Sequence, residues 1–432
     1  MVAVLVSANA ALWLVARPPG ERTGSFLGQL LGAESILLLS IGLALISMLP
    51  WVEAWFDGID RAAIWHRRVA ISGLVLLGPH VLLSTNPAGT SLGKPLGAIG
   101  LIGMVALALW AILPRWRSVV PARFREAVGA LAGLPGVPLL RTLLGGYERW
   151  RALHRTTGLF VAAGFVHGAL DGTPFAGAGV LRWSYLTIGG IGLAFYLYRE
   201  LLARFFQSLH DYQVQTVAAV GDGLVEITLT PIGRQLEFVP GQFALVYLEA
   251  KDGWHRHPFT IASSPREGVV RITVKALGDY TSRLPEILRP GMPAVIGGPH
   301  GRFNHAKGTH RQVWIAGGVG VAPFLSWLRD LDDRPVQHQI GFFYTNSAAD
   351  APFTAEIAEI AGRHAGIRAH FIDSSTQGRL TGEQVLAATK GHPHEISAFL
   401  CGPESMVRTI QAQLRRGGVR DHHIHREYFD WR

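Results

Sequence analysis

Cysteine is almost missing from this chain: Cys401 stands alone among 432 residues. A single thiol excludes an internal disulfide and any cysteine-rich metal centre. Charge is thin as well, with Asp, Glu, Lys and Arg making up 16% of residues, against about a quarter in an average soluble domain. There is no internal repeat or low-complexity run, and neither a Ser–His–Asp arrangement nor a carboxylate pair can be picked out, so hydrolytic chemistry finds no support. Apolar residues make up 49% of the chain, and they are spread unevenly.

The first half holds the long apolar runs. Segments of about the length that spans a bilayer are Met1–Ala16, Phe26–Leu49, Val69–Ser84, Pro95–Leu113, Thr157–Leu170 and Trp183–Leu202. They predict a membrane all-α six-helix bundle over residues 1–206. The first run is short and has no basic start. Ala8-Asn9-Ala10 faintly imitates a signal-peptidase site, but the apolar run continues past it, which reads as a first helix and not a cleaved signal.

Two of these segments, with the residues just ahead of them, carry two histidines each, His66 and His80 in one, His154 and His167 in the other, at spacings of fourteen and thirteen residues. An ionisable residue inside a membrane helix is costly enough to be a functional hypothesis by default. Paired histidines on two neighbouring helices are what axial ligation of haem iron requires. At about 1.5 Å of rise per residue each pair is spread over roughly 20 Å, which places one haem near each face. Fourteen residues fall roughly 40° short of whole turns, so His66 and His80 share a helix face. Thirteen fall about 140° short. His154 and His167 therefore need a local irregularity, expected near Gly158 or Gly164. The plain alternative for any one of the four is a core or helix-end histidine making a hydrogen bond.

Orientation follows arginine. Arg115, Arg117, Arg123, Arg125, Arg141, Arg149 and Arg151 fill the loop after the fourth segment, and Arg67 and Arg68 follow His66 at once; these mark cytoplasmic faces. The opposite loops, 85–94 and 171–182, are poor in charge. Helices three and five then run the same way, pairing His66 with His154 near the cytoplasm and His80 with His167 near the outside. Trp51, Trp55, Trp65, Trp150 and Trp183 at segment ends suit an interfacial belt. A net charge of +9 is accounted for by these loops, so nucleic acid is not the expected partner. The expected setting is the plasma (inner) membrane, multi-pass, with both termini cytoplasmic.

After Arg204 the chain changes character. Alternation such as Val225, Ile227, Leu229 and Val270, Ile272, Val274 predicts a soluble antiparallel β-barrel over 207–308. From 309 to 432, strands near Val313, Ile340, Ile367 and Ala398 alternate with helical stretches, predicting an α/β doubly wound nucleotide-binding domain. His422, His423 and His425 read as an exposed turn running into a strand more readily than as a metal site.

Three motifs follow in order: His257-Pro258-Phe259-Thr260-Ile261-Ala262-Ser263, Gly278-Asp279-Tyr280-Thr281-Ser282-Arg283, and Gly317-Gly318-Val319-Gly320-Val321-Ala322-Pro323. Phe259 offers a flat face and Thr260 a hydroxyl, which suit an isoalloxazine ring, although His-Pro-Phe-Thr is also an ordinary strand entry. Tyr280, Thr281 and Ser282 open a helix whose N–H groups suit a pyrophosphate, with Lys275 and Arg283 adding charge. The glycines at 317, 318 and 320 leave room for a dinucleotide at the end of a parallel strand, as any tight strand-to-helix connection would.

With these motifs, the histidine spacing and Phe399-Leu400-Cys401-Gly402-Pro403-Glu404, the chain resembles the ferric reductase and NADPH oxidase superfamily over nearly its whole length. The resemblance implies FAD, two b-type haems on His66, His80, His154 and His167, and NADPH or NADH as donor. It implies that His257 to Thr260 hold the flavin, that Cys401 lies beside the nicotinamide with Gly402 and Pro403, and that Phe429 in Glu427-Tyr428-Phe429-Asp430-Trp431-Arg432 covers the flavin, a role open to Trp431. Thr260, Cys401 and Phe429 are then the residues nearest the chemistry. Many relatives have threonine where this chain has Ala322. The second strand ends in Tyr344-Thr345-Asn346-Ser347 without arginine, leaving Ser374 and Arg379 as candidates for a 2′-phosphate, and NADPH is favoured by family resemblance alone. The implied reaction is transmembrane electron transfer to O2, giving superoxide. A ferric chelate is the alternative acceptor, since superoxide-forming relatives can carry histidine where this chain has Ser84. A membrane-anchored flavin reductase serving a cytoplasmic partner and a haem sensor remain open, and no obligatory protein partner is implied.

Overall fold

Residues 1–56, 58–84, 89–112, 152–206, 208–221, 223–250, 253–276, 279–331, 336–347 and 351–427 are described by a computed structural model. The chain divides into two units, Met1–Phe56 with Arg61–Phe205, and Asp57–Asp60 with Phe206–Arg432.

The first unit is helical: α1 (Val2–Val15), α2 (Thr23–Leu45), α3 (Pro50–Trp55), α4 (Ile59–Leu83), α5 (Gly93–Ile112), α6 (Thr157–Asp171) and α7 (Gly179–Leu197), the last widening into a π turn at Tyr198–Leu202. Pro50 opens the short α3, which was not expected from the sequence, at a position where its missing N–H costs nothing. The apolar helices differ in how far they are enclosed. Helix α2 is enclosed, burying Leu30, Ile36, Leu37, Leu38, Leu39 and Leu43, whereas α5 turns Ile99, Ile102, Val105 and Leu109 outward. Among the described residues three helices are long and apolar enough to cross a membrane, Thr23–Leu45, Gly93–Ala111 and Gly179–Leu202. The other expected spans differ for separate reasons. Helices α1 and α6 have 14 and 15 residues, and α4 has 25 but carries Asp60, Arg61, Arg67 and Arg68 in its first half. The arginine-rich loop on which the orientation rests, and Trp150 with it, lies outside the described residues.

The second unit begins with six antiparallel strands, β1 (Leu209–Gly221), β2 (Leu224–Pro231), β3 (Phe243–Ala250), β4 (Gly253–Thr260), β5 (Val270–Lys275) and β6 (Pro293–His300), in the order β4-β3-β6-β1-β2-β5. A bridge between Ile261 and Ile272 joins the two edges into a barrel. Tyr212, Ile227, Leu229, Val246, Ile272 and Ile296 fill it, together with Leu284 and Leu288 at and just beyond α8 (Asp279–Ile287). Five parallel strands follow, β7 (Arg311–Gly317), β8 (Gln339–Asn346), β9 (Ile367–Asp373), β10 (Ile396–Cys401) and β11 (Ile424–Arg426), in the order β11-β10-β7-β8-β9. Helices α9 (Ala322–Leu331), α10 (Thr354–Arg363), α11 (Gly382–Ala388) and α12 (Glu404–Arg416) cover the two faces. Alternation along β7 explains the two layers: Trp314 packs with Phe324, Trp327 and Phe342, while Val313 and Ile315 pack with Val385, Leu400 and Ile410.

Helix α9 ties sheet to barrel. Ser326 Oγ donates to the Ser263 carbonyl (2.8 Å), Trp327 Nε1 to the Pro240 carbonyl (3.0 Å), and Arg329 to the Ala262 carbonyl (3.0 Å). Gly241, at φ +92°, lies where a Cβ would collide with the Phe303 carbonyl and the Trp327 ring, so glycine is required at this joint.

Candidate functional site

Pro258 sits in β4 opposite Leu245 of β3. A strand proline lacks its ladder donor and is tolerated at a sheet edge, which β4 provides. The next residues come together with the start of α8. The His257 and Tyr280 rings stack with centroids 3.9 Å apart, and Phe259 lies 6.3 Å from His257. Phe259 and Tyr280 are half-buried against the barrel core. Lys275 ends β5 just ahead of that helix, and Thr281 and Ser282 lie in its first turn. Gly278 falls outside the described residues. The result is an aromatic platform beside a helix N-terminus, the surface a flavin ring and its phosphates need.

Thr260 is buried, and its hydroxyl donates to Glu427 Oε1 (3.4 Å); Cys401 Sγ donates to Oε2 of the same carboxyl (3.6 Å). Burial, reinforced by the charge and hydrogen bond of Glu427, pushes the Cys401 thiol well above its usual range, so Cys401 serves as a small neutral donor and not a thiolate. Glu427 was missed in the sequence reading, which passed it over for the aromatics beyond it. Phe429 and Trp431 lie outside the described residues. Replacing Glu427 with Gln or Ala should slow flavin reduction by NAD(P)H by roughly ten- to a hundredfold, the scale on which misplaced reacting groups lose rate. Stopped-flow bleaching of the flavin checks this, and an unchanged rate would reduce Glu427 to a packing residue.

The three glycines of the strand-to-helix turn divide their work. A Cβ on Gly320 would collide with the Cys401 carbonyl, and one on Gly317 would sit 2.7 Å from Met406 Sδ. Gly317 thus makes room for α12, while Gly320 lets the turn after β7 close on the end of β10, as does Gly402 (φ +153°), whose Cβ would lie 3.0 Å from the Gly317 nitrogen. Gly318, at φ +54°, has open space where its side chain would be, and it is the one that leaves room for a dinucleotide. Pro403 precedes α12 and Pro323 lies in the first turn of α9, where a missing N–H is harmless. Arg379 is exposed beyond β9.

In the helical unit the histidines meet in two pairs. The ring centroids of His66 and His154 are 6.3 Å apart, and those of His80 and His167 6.4 Å. Two imidazoles on opposite sides of one metal, at about 2.0–2.1 Å per metal–nitrogen bond, have centres roughly 6–6.5 Å apart. Nδ1 of His66, His80 and His167 each contacts a backbone carbonyl, of Gly42 (2.9 Å), Gly28 (2.8 Å) and Gly93 (3.0 Å). A carbonyl only accepts, so each neutral ring keeps its proton on Nδ1 and its lone pair on Nε2. Glycines cradle the rings: a Cβ on Gly32 would lie 2.7 Å from His80 and one on Gly97 2.9 Å from His167. The irregularity that brings His154 round is a break at Arg155–Thr156 ahead of α6, and not at Gly158 or Gly164. Thr157 Oγ1 donates to the His154 carbonyl there (2.6 Å).

Asp171 is a further residue that sequence reading missed. It is buried, it accepts from the Thr90 N–H and hydroxyl (2.9 and 2.8 Å), and its Oδ2 lies 3.5 Å from His167 Nδ1. The signal was available, since His167 and Asp171 stand four residues apart on one helix. Among the described residues no group of three His, Cys, Asp or Glu side chains is arranged to hold a bare metal ion, and His422 and His423 occupy the turn before β11.

Residues 209–317 match a family described as an FAD-binding domain, and residues 314–412 one described as an oxidoreductase NAD-binding domain. The chain is 26% identical over 205 residues to the anthranilate 1,2-dioxygenase electron transfer component of Acinetobacter baylyi, covering 45% of this chain and 59% of that one. It is 24% identical over 168 residues to a putative respiratory burst oxidase homolog protein G of Arabidopsis thaliana, covering 34% and 19%. It therefore spans less than two thirds of the length of these curated relatives. A flavohemoglobin structure from Malassezia yamatoensis shares its fold at a TM-score of 0.52 and 16% identity, covering 94% of this chain and 99% of that one. Residues 209–412 thus carry an FAD-binding domain followed by an oxidoreductase NAD-binding domain, the pair that equips an NAD(P)H-dependent oxidoreductase.

Proposed function

We propose that this chain is a membrane oxidoreductase that takes hydride from NAD(P)H on the cytoplasmic side and delivers single electrons through two b-type haems to O2 on the outer side, forming superoxide. The carrying observation is the two histidine pairs, each at the separation of two imidazoles sharing one metal, the His80–His167 pair with room made by Gly32 and Gly97. Bound FAD would supply the conversion from a two-electron donor to a one-electron acceptor. His257, Phe259 and Tyr280 would hold its ring, and Lys275 with the first turn of α8 its phosphates. Thr260, Cys401 and Glu427 would orient the reacting partners and keep water out. His66 and His154 would hold one haem, His80 and His167 the other, with Asp171 and the carbonyls of Gly42, Gly28 and Gly93 fixing the rings. The three apolar helices support a multi-pass location in the plasma (inner) membrane.

One observation favours a ferric chelate as acceptor instead. Ser84 Oγ contacts His80 Nδ1 at 3.1 Å, so the position where superoxide-forming relatives can carry histidine holds a hydroxyl already engaged with the ring. An anaerobic visible spectrum of the detergent-purified chain with FAD, before and after nucleotide and then in air, tests the reading. About two reduced b-type haems that discharge in air with superoxide are expected. Haem that stays reduced in air and discharges with ferric chelate would transfer the proposal to the second acceptor. A preparation without haem would overturn both and leave an anchored flavoenzyme.

A further inference from the structure

The carboxyl edge of the parallel sheet runs in register from one candidate to the next: Cys401 of β10 pairs with Ala316 of β7, Gly317 with Thr345 of β8, and Asn346 with Asp373 of β9. At about 4.8 Å per strand, β10 to β9 is roughly 14 Å. A dinucleotide with its nicotinamide at Cys401 and its pyrophosphate at the Gly318 turn, in the crevice outside the strand ends, brings its adenosine ribose to the ends of β8 and β9.

The groups waiting there suit hydroxyls. Asn346 is buried; its Oδ1 accepts from the Ser347 N–H (2.7 Å), and its Nδ2 has no partner among the described residues. A buried donor left unpaired is costly, and a ribose oxygen would relieve it. Asp373 Oδ1 accepts from the N–H and hydroxyl of Ser375 (2.9 and 2.6 Å), and Oδ2 from Thr376 (3.0 Å). Ser375, and then Thr376, hold its carboxyl below the usual carboxylate range. Asp373 is only partly buried at the strand end, so its carboxylate faces a ligand arriving there. The Ser374 N–H and hydroxyl both go to the Asn346 carbonyl (2.8 and 2.9 Å), so Ser374 is a clamp between the strand ends and not a free phosphate donor. Residues 346–353 and 373–378 contain no arginine or lysine, and a 2′-phosphate calls for one.

We infer that Asn346 and Asp373 form a site for the adenosine ribose hydroxyls that selects NADH over NADPH, the free 2′-hydroxyl donating to Asp373 where a 2′-phosphate would meet its charge. This rests on the reading of the chain as an NAD(P)H oxidoreductase. The test uses the full chain in detergent with FAD, measuring ferricyanide reduction with each nucleotide and the affinities for NAD+ and NADP+ by titration calorimetry. Wild type is expected to favour NADH in kcat/KM, and NAD+ in Kd, by at least tenfold. Asp373→Asn, which keeps the turn, should narrow both ratios, and Asp373→Ser with Asn346→Arg should reverse them. Equal use of the two nucleotides, a preference for NADPH, or variants that weaken both nucleotides alike would overturn the inference and leave the oxidoreductase reading standing. So would Arg379→Ala if it alone cut NADPH turnover more than tenfold. Failure of either nucleotide to reduce the flavin would overturn both.

Discussion

His80→Ala should halve the haem content, from about two per chain to about one, and bring acceptor reduction down to background while nucleotide still bleaches the flavin at the wild-type rate. The expectation comes from the way the ring is held. Its Nδ1 is committed to the Gly28 carbonyl, Gly32 leaves its face clear, and the His167 ring stands 6.4 Å away across the gap. An alanine would remove the metal bond proposed for this ring, which no neighbour can replace, since no third donor is grouped with the pair among the described residues. Loss of a partner that merely orients a ligand costs about 10–100-fold in metal affinity, and loss of the ligand itself costs more. Retention of both haems would overturn the pairing of His80 with His167. Loss of flavin reduction as well would overturn the proposed order of electron transfer. Asp171→Asn provides the graded companion, expected to keep the haem but shift its potential.

Arg329→Met should lower the thermal midpoint for flavin release by roughly 6–12 °C, the equivalent of ~3 kcal/mol for a domain pair of this size. Arg329 is buried at the joint between α9 and the barrel. It donates to Glu356 through Nε and Nη2 (2.7 and 3.0 Å) and to Glu226 (3.1 Å), as well as to the Ala262 carbonyl. Burial works against its charge, but the hydrogen bonds and charges of Glu356 and Glu226 more than reverse this, so the guanidinium titrates even higher than usual. Breaking a buried pair by removing one partner costs about 3–5 kcal/mol, because an uncompensated charge stays behind. Arg271 also reaches Glu226 (3.0 Å), which places the expectation at the lower end. Flavin fluorescence during heating measures it, and an unchanged midpoint would show that the joint does not depend on this network. Arg329→Lys, which keeps the charge but loses the fork, should fall between.

Where the residues carry their own signal, local patterning was enough. Alternation in Val225, Ile227 and Leu229 marked β2, and the Gly317–Gly320 turn marked the end of β7, because periodicity and backbone freedom are properties of consecutive residues. The fourteen-residue spacing of His66 and His80 likewise marked one face of α4, since angular position along a helix depends on residue count alone. Helix ends were less legible. The break at Arg155–Thr156 was expected three to nine residues later, at Gly158 or Gly164, because glycine permits a bend without requiring one.

The sequence by itself determined that an apolar helical half precedes a barrel and a parallel sheet, and which side chains are the candidates for flavin, nucleotide and histidine chemistry. Only the tertiary structure decided that Glu427 meets Thr260 and Cys401, that Asp171 meets Thr90, that Gly320 packs against Cys401, and that Asn346 stands beside Asp373. Each of these links depends on a contact between elements far apart in the chain. Such contacts are set by strand order and helix crossing, and no window of neighbouring residues encodes either.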